Sequence, residues 1–135
     1  MKPIIIANWK MNLTLEEARS KANKLNKHIE AEFLLAPPTP YLADFASKFS
    51  KINLCAQDVS TISRYGAYTG EISADIIKSC NVHSAIIGHS EKRNLMKDTN
   101  MTVKKKAENC FKSNIRPIIC IGESLETRQN NNYKE

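Results

Sequence analysis

Short apolar runs and helix-patterned segments take turns along the whole chain. The runs at residues 3–7 (PIIIA), 33–36 (FLLA), 52–57 (INLCAQ), 84–88 (SAIIG) and 116–122 (RPIICIG) read as strands, and PIIIA as one buried on both faces. Between them lie segments with helical spacing. In LEEARSKANKLNKHIE, residues Leu15, Ala18, Ala22, Leu25 and Ile29 fall on one face, and Thr14 with Glu17 forms a capping-box pattern at its start. YLADFASKF, ISADIIKSC and DTNMTVKKKAENCFKSN read as three further helices, and Ser124 as the cap of another. Pro37 and Pro38 stop the second strand, and Gly66 and Gly70 mark turns in the loop SRYGAYTGE. Strict alternation of this kind implies a parallel sheet with crossover helices.

Two architectures share that pattern. A five-stranded doubly wound sheet suits the length of 135 residues. An incomplete barrel suits the unit size equally well, since a unit of roughly 30 residues is that of an eight-unit barrel of about 250. Neither an internal repeat nor a linker divides residues 1–135, so a single domain is expected. No GxGxxG or GxxxxGK[ST] loop is present, which weighs against a doubly wound nucleotide-binding protein.

Composition narrows the function classes. Apolar residues make up 41%, enough for one core, and no run approaches the ~20 needed to cross a bilayer. The opening MKPIIIANWK is too short for a secretory signal, and a cytoplasmic location with no membrane partner is expected. Cys55, Cys80, Cys110 and Cys120 lack metal-ligand spacing and read as small buried hydrophobes, so no metal is expected. The net charge of +6 comes partly from Lys21, Lys24 and Lys27 on one helical face and from Lys104, Lys105 and Lys106 in another helix. Without interleaved aromatic residues these read as solvated faces and not as a nucleic-acid stripe. A modest pull on anionic small molecules remains.

In parallel α/β folds reactive residues gather at the carboxyl ends of strands. Here those ends run into Asn8, Trp9 and Lys10, into Gln57 and Asp58, into Gly88, His89, Ser90 and Glu91, and into Gly122 and Glu123. Asn8 and Lys10, two apart, share one side of an extended segment and offer an amide donor and a fixed cation to an anionic substrate. Taken singly, Lys10 reads more readily as an exposed lysine beside a turn asparagine. His89 precedes a possible helical turn, where backbone N–H groups disfavour a protonated imidazole. A neutral imidazole can donate to a carbonyl oxygen and pass protons between adjacent oxygens. A satisfied buried histidine is the plain alternative. Glu91 is a charge partner within reach of Lys10. His28 and His83 lack such neighbours and read as structural or surface residues. No Ser-His-Asp or Cys-His arrangement can be argued from the order of residues.

ANWKMN at residues 7–12, CAQD at 55–58, YGAYTGEISA at 65–74, IGHSEKR at 87–93 and CIGE at 120–123 together resemble triosephosphate isomerase, in that family's order and spacing along the whole chain. Lys92 stands where the family usually has arginine, and Tyr68 where phenylalanine is common. The resemblance implies a (β/α)8 TIM barrel, here an incomplete one of about five parallel strand–helix units, the N-terminal portion of the fold. It implies cofactor-free interconversion of dihydroxyacetone phosphate and D-glyceraldehyde 3-phosphate. Asn8 and Lys10 would bind substrate, with Trp9 in the same segment. His89 would polarise the carbonyl, and Glu91 and Ser90 would support the site. The loop of residues 65–71 would enter a partner subunit, where Thr69 steadies the neighbour's site, so a homodimer is expected.

One departure matters. The family's general base, a glutamate in a motif like YEPVWAIGTG near the sixth strand, has no match here, nor do the lid loop and the glycine-rich phosphate turns. Glu123 and Glu126 follow the fifth strand and do not fit the motif. The chain alone is therefore expected to be an inactive isomerase fragment prone to self-association. The alternative is a non-catalytic remnant that binds a partner protein or a small anion.

Overall fold

The computed structural model describes residues 3–25, 31–123 and 125–130. Five strands, β1 (Ile4–Asn8), β2 (Glu32–Ala36), β3 (Asn53–Ala56), β4 (Ser84–Ile87) and β5 (Arg116–Ile119), alternate with helices α1 (Leu15–Leu25), α2 (Leu42–Lys48), α3 (Ala74–Ser79), α4 (Ser90–Leu95), α5 (Asn100–Lys112) and α6 (Leu125–Gln129). Local chemistry sets the boundaries. Glu17 accepts from the Thr14 backbone N–H at 2.8 Å and Thr14 Oγ1 from the Glu17 N–H at 3.4 Å, which closes the capping box. Ser73 and Thr99 cap α3 and α5 by accepting from Ile76 and Thr102. β2 ends at Ala36 before the proline pair, and a 3-10 turn at Thr39–Tyr41 leads into α2. Ile29, His28 and the Ser124 cap lie outside the described residues.

The strand order β1-β2-β3-β4-β5, every neighbour parallel, separates the two architectures. A doubly wound sheet reverses its order and carries helices on both faces. Here the order never reverses. Ala18 and Ala22 of α1, Leu42 and Phe45 of α2, Ala74 and Ile77 of α3, and Val103, Ala107 and Cys110 of α5 all pack with Leu35, Leu54, Ala56, Ala85 and Ile87 on one face. This is a half barrel. Phe45, fully buried, is the hub of that layer, with the rings of Trp9, Tyr41 and Phe49 around it at 6.1, 6.3 and 5.0 Å. Truncating such a residue to alanine typically costs about 3–5 kcal/mol.

The opposite, concave face is built on the two-residue period of the strands. Ile6, Leu34, Cys55, Ile86, Ile118 and Cys120 form a second apolar cluster there with Ala36. Two residues nearer the strand starts, the inward residues of β2 to β5 are polar, Glu32, Asn53, Ser84 and Arg116, while that of β1 is Ile4, and an Arg116–Glu32 ion pair reaches from β5 to β2. Two residues nearer the strand ends, Asn8 lies in register with Ala36.

Several expectations change. β1 is not buried on both faces: Ile4 is 45% and Ile5 50% exposed, because β1 has a neighbour on one side only among the described residues. Among the cysteines, all free, only Cys55 and Cys110 are buried, while Cys80 and Cys120 are partly exposed. Lys106 does not lie on a solvated face. It is 5% exposed and bonds Asp58 at 2.8 and 2.9 Å and Asp98 at 2.6 Å. Burial alone would lower its pKa, but the two carboxylates outweigh that and raise it. His83, as expected, is exposed, with Lys78 and Asn81 as partners.

Candidate active site

Asn8 is the last residue of β1, and its Oδ1 accepts from the Lys10 backbone N–H at 2.9 Å. That bond is a local turn of the kind asparagine favours, and it helps place Lys10 at φ 53°, a left-handed conformation that costs a non-glycine residue on the order of 1 kcal/mol. The cost is offset from β3: Gln57 Nε2 donates to the carbonyls of Lys10 and Ala36, both at 2.9 Å. With Oδ1 engaged, the Nδ2 donors of Asn8 have no partner among the described residues.

β4 delivers the other half. Gly88, at φ 67°, bends the chain out of the strand, and His89 becomes the N-cap of α4. The Glu91 backbone N–H donates to His89 Nδ1 at 3.2 Å. Nδ1 is thereby an acceptor, and the neutral ring carries its proton on Nε2. Glu91 Oε2 also lies 3.4 Å from Nδ1; a protonated ring would favour that contact, at the expense of the N–H bond. The other carboxylate oxygen is taken by Lys10 Nζ at 2.6 Å. The ammonium beside Glu91 holds its carboxyl below the usual carboxylate range, against the opposing effect of desolvation.

The structure therefore brings together Asn8, Lys10, His89 and Glu91 from the ends of β1 and β4. The remaining expected residues lie apart from that group. Ser90 is exposed in the first turn of α4. Trp9 turns toward the helix layer, edge-on to Phe45, with Lys21 Nζ 5.9 Å from its ring centre. Thr69 is exposed on the loop after β3, and no described hydrogen bond joins it to the group. Gln57 was visible as a strand-end residue, but its hold on the Lys10 carbonyl had no local signal across 47 positions.

Two cavities lined by described residues lie elsewhere. One of about 520 Å³ sits at the strand starts, lined by Glu32, Asn53, Ser84 and Arg116 among others, and one of about 460 Å³ surrounds Asp58, Lys92 and Lys106. Neither contains His89. The chemistry, an amide, a cation and a neutral imidazole on one rim, marks the site better than volume does. Among the described residues no cluster of His, Cys, Asp or Glu is fit to hold a metal ion, and no helix is long and apolar enough to cross a membrane.

Comparison with known proteins agrees with this geometry. The family model for triosephosphate isomerase matches residues 3–135. Triosephosphate isomerase from Orientia tsutsugamushi (strain Ikeda) is 42% identical over 98% of this chain and 56% of its own length. That from Mesomycoplasma hyorhinis is 40% identical over 93% of this chain and 55% of its own. The crystal structure of triosephosphate isomerase from Bartonella henselae superposes with a TM-score of 0.85 at 33% identity, covering 98% of this chain and 57% of that one. The chain thus spans about half the length of the relatives it matches. A family match running through nearly every residue, on a half barrel whose strands keep the same order, leaves one assignment: the chain belongs to the triosephosphate isomerase family.

Proposed function

We propose that residues 1–135 are the N-terminal portion of one barrel domain and supply the carbonyl-polarising side of a triosephosphate isomerase, which interconverts dihydroxyacetone phosphate and D-glyceraldehyde 3-phosphate in glycolysis and gluconeogenesis. One observation carries this reading: the Glu91 N–H bond into His89 Nδ1, which leaves a neutral imidazole with Nε2–H as its donor. A neutral histidine at a helix start, working with a glutamate base, is the known pattern of this family.

In this reading Nε2–H donates to the substrate carbonyl oxygen. As a base removes the proton from the neighbouring carbon, the pair of electrons moves onto that oxygen, and the imidazole gives up and regains its proton between the two oxygens. The Lys10 cation, steadied by Glu91, and the Asn8 amide bind the anionic substrate, with Trp9 anchoring their segment and Ser90 supporting the helix start. No cofactor takes part. The site is cytoplasmic, and the exposed loop with Tyr65, Tyr68 and Thr69 pairs two copies as a homodimer.

The base is the missing part. Glu91, the one described carboxylate beside His89, is committed to Lys10. The 135-residue polypeptide alone is therefore expected to be inactive.

Fusing it to the remaining, C-terminal part of the Orientia relative tests the reading. The fusion is expected to turn over triose phosphate, the unfused chain is not, and H89Q in the fusion should lose at least a hundredfold of that rate. A folded but inactive fusion that still binds phosphate would favour the anion-binding remnant. Full activity in H89Q would overturn the role of His89.

A further inference from the structure

We infer that Arg93 is a positioning residue that sets the direction of the His89 imidazole. The backbone on either side of His89 carries the link. Its orientation is fixed by the peptide before it and the peptide after it, and Arg93 holds the carbonyls of both. The Arg93 backbone N–H donates to the His89 carbonyl at 3.0 Å, and its side-chain Nε donates to the Gly88 carbonyl at 2.8 Å. His89 is thereby kept at φ −56°, ψ 143°, the extended geometry that lets Nδ1 reach the Glu91 N–H.

The rest of the guanidinium is tied to two other elements. Nη1 donates to Asn100 Oδ1 at 2.9 Å, at the start of α5, and Nη2 lies 3.4 Å from the Cys120 carbonyl just past β5. One planar group thus fastens the turn before His89 to the neighbouring strand end and the following helix. Gly88 makes the arrangement possible. A Cβ there would meet Arg93 Nη2 and Val103 Cγ2, each at 2.9 Å, on a backbone already at φ 67°. Arg93 bonds none of Asn8, Lys10 or Glu91 in the described structure, so its effect on the site passes through the backbone of Gly88 and His89. A lysine in its place keeps the charge but cannot span three acceptors in one plane.

This role rests on the reading of His89 as the polarising group, but its test does not need turnover. Long-range 1H–15N correlation of the imidazoles in the 135-residue chain, at about pH 8 and so above the ordinary histidine value, reports which ring nitrogen is protonated. His83 serves as an internal control, since its Nδ1 is 2.6 Å from Lys78 Nζ and its Nε2 3.0 Å from Asn81 Oδ1. In the parent chain both rings should show the Nε2–H form. In R93K and R93M, His89 should lose that single pattern and move toward averaged tautomers while His83 keeps it. Retention of the His89 pattern in both variants would overturn the proposal. So would loss of both patterns together in R93K, which would make Arg93 a general structural residue. The isomerase assay on the fusion tests the functional reading separately.

Discussion

Lys10 and Glu91, 81 positions apart, meet at 2.6 Å and join the ends of β1 and β4 across the rim of the half barrel. Each side chain stays about half exposed, 50% and 49%, so the pair serves geometry more than stability. The carboxyl of Glu91 titrates lower in the folded chain than its ordinary value of 4.5. Its contribution is therefore complete above that value and fades as pH falls through the lower folded one. Thermal unfolding of E91Q should start slightly below the parent at neutral pH and converge with it in acid. A gap that widens in acid would contradict the pairing.

Gln57 offers a sharper lesion. In Q57L the Lys10 carbonyl loses its side-chain donor, whereas the Ala36 carbonyl keeps the Trp9 N–H at 3.0 Å. Unfolding in urea should show a loss of about 1–2 kcal/mol. In the fusion enzyme the change should raise KM more than it lowers kcat, because Lys10 would leave its strained conformation.

Lys106 should be costlier than any rim residue. K106M leaves the nearly buried Asp98 without its cation, while Asp58 keeps Lys92 Nζ at 3.0 Å, so the loss should fall toward the lower end of the about 3–5 kcal/mol typical of a broken buried pair. Adding D98N should recover part of the loss in denaturant titration. The folded pKa of Lys106 is raised, so its contribution is fully present below the ordinary value of 10.5 and fades only as pH rises through the higher folded one. The deficit of K106M should therefore stay flat across the neutral range.

The cysteines divide by burial. Desolvation pushes the Cys55 thiol up to about 12 and that of Cys110 up to about 11. Alkylation at about pH 8, read by mass spectrometry, should label Cys80 first and spare Cys55 and Cys110 until the chain is unfolded. Early labelling of Cys55 would show that the concave face opens readily.

Much of this was legible in the sequence because it is local. The period of Leu15, Ala18, Ala22 and Leu25, the Thr14–Glu17 cap, the stop at Pro37 and the partnership of Lys10 with Glu91 follow from residue type and spacing, the last with help from the family's motifs. The strand order did not follow from local pattern, since a doubly wound sheet and a barrel share it and differ only in which strands meet; only the family's motifs pointed to the incomplete barrel. Lys106 was misplaced for the same reason: its burial depends on Asp58, 48 positions away, as well as on Asp98. The exposure of Ile4 and Ile5 reflects β1 lying at an edge of the described sheet, and nothing in an isoleucine run announces an edge.

The concave face has a further consequence. Its middle row, Ile6, Leu34, Cys55, Ile86 and Ile118, sits between the charged floor of Glu32 and Arg116 and the rim of Asn8 and His89. That row separates the ion pair of the floor from the polar groups of the rim by a band of apolar side chains. On β2 and β5 the floor residues Glu32 and Arg116 lie two positions before Leu34 and Ile118, and on β1 the rim residue Asn8 lies two positions after Ile6. Chemistry at the rim can therefore be rewritten by single substitutions while the floor goes on bracing the curvature undisturbed.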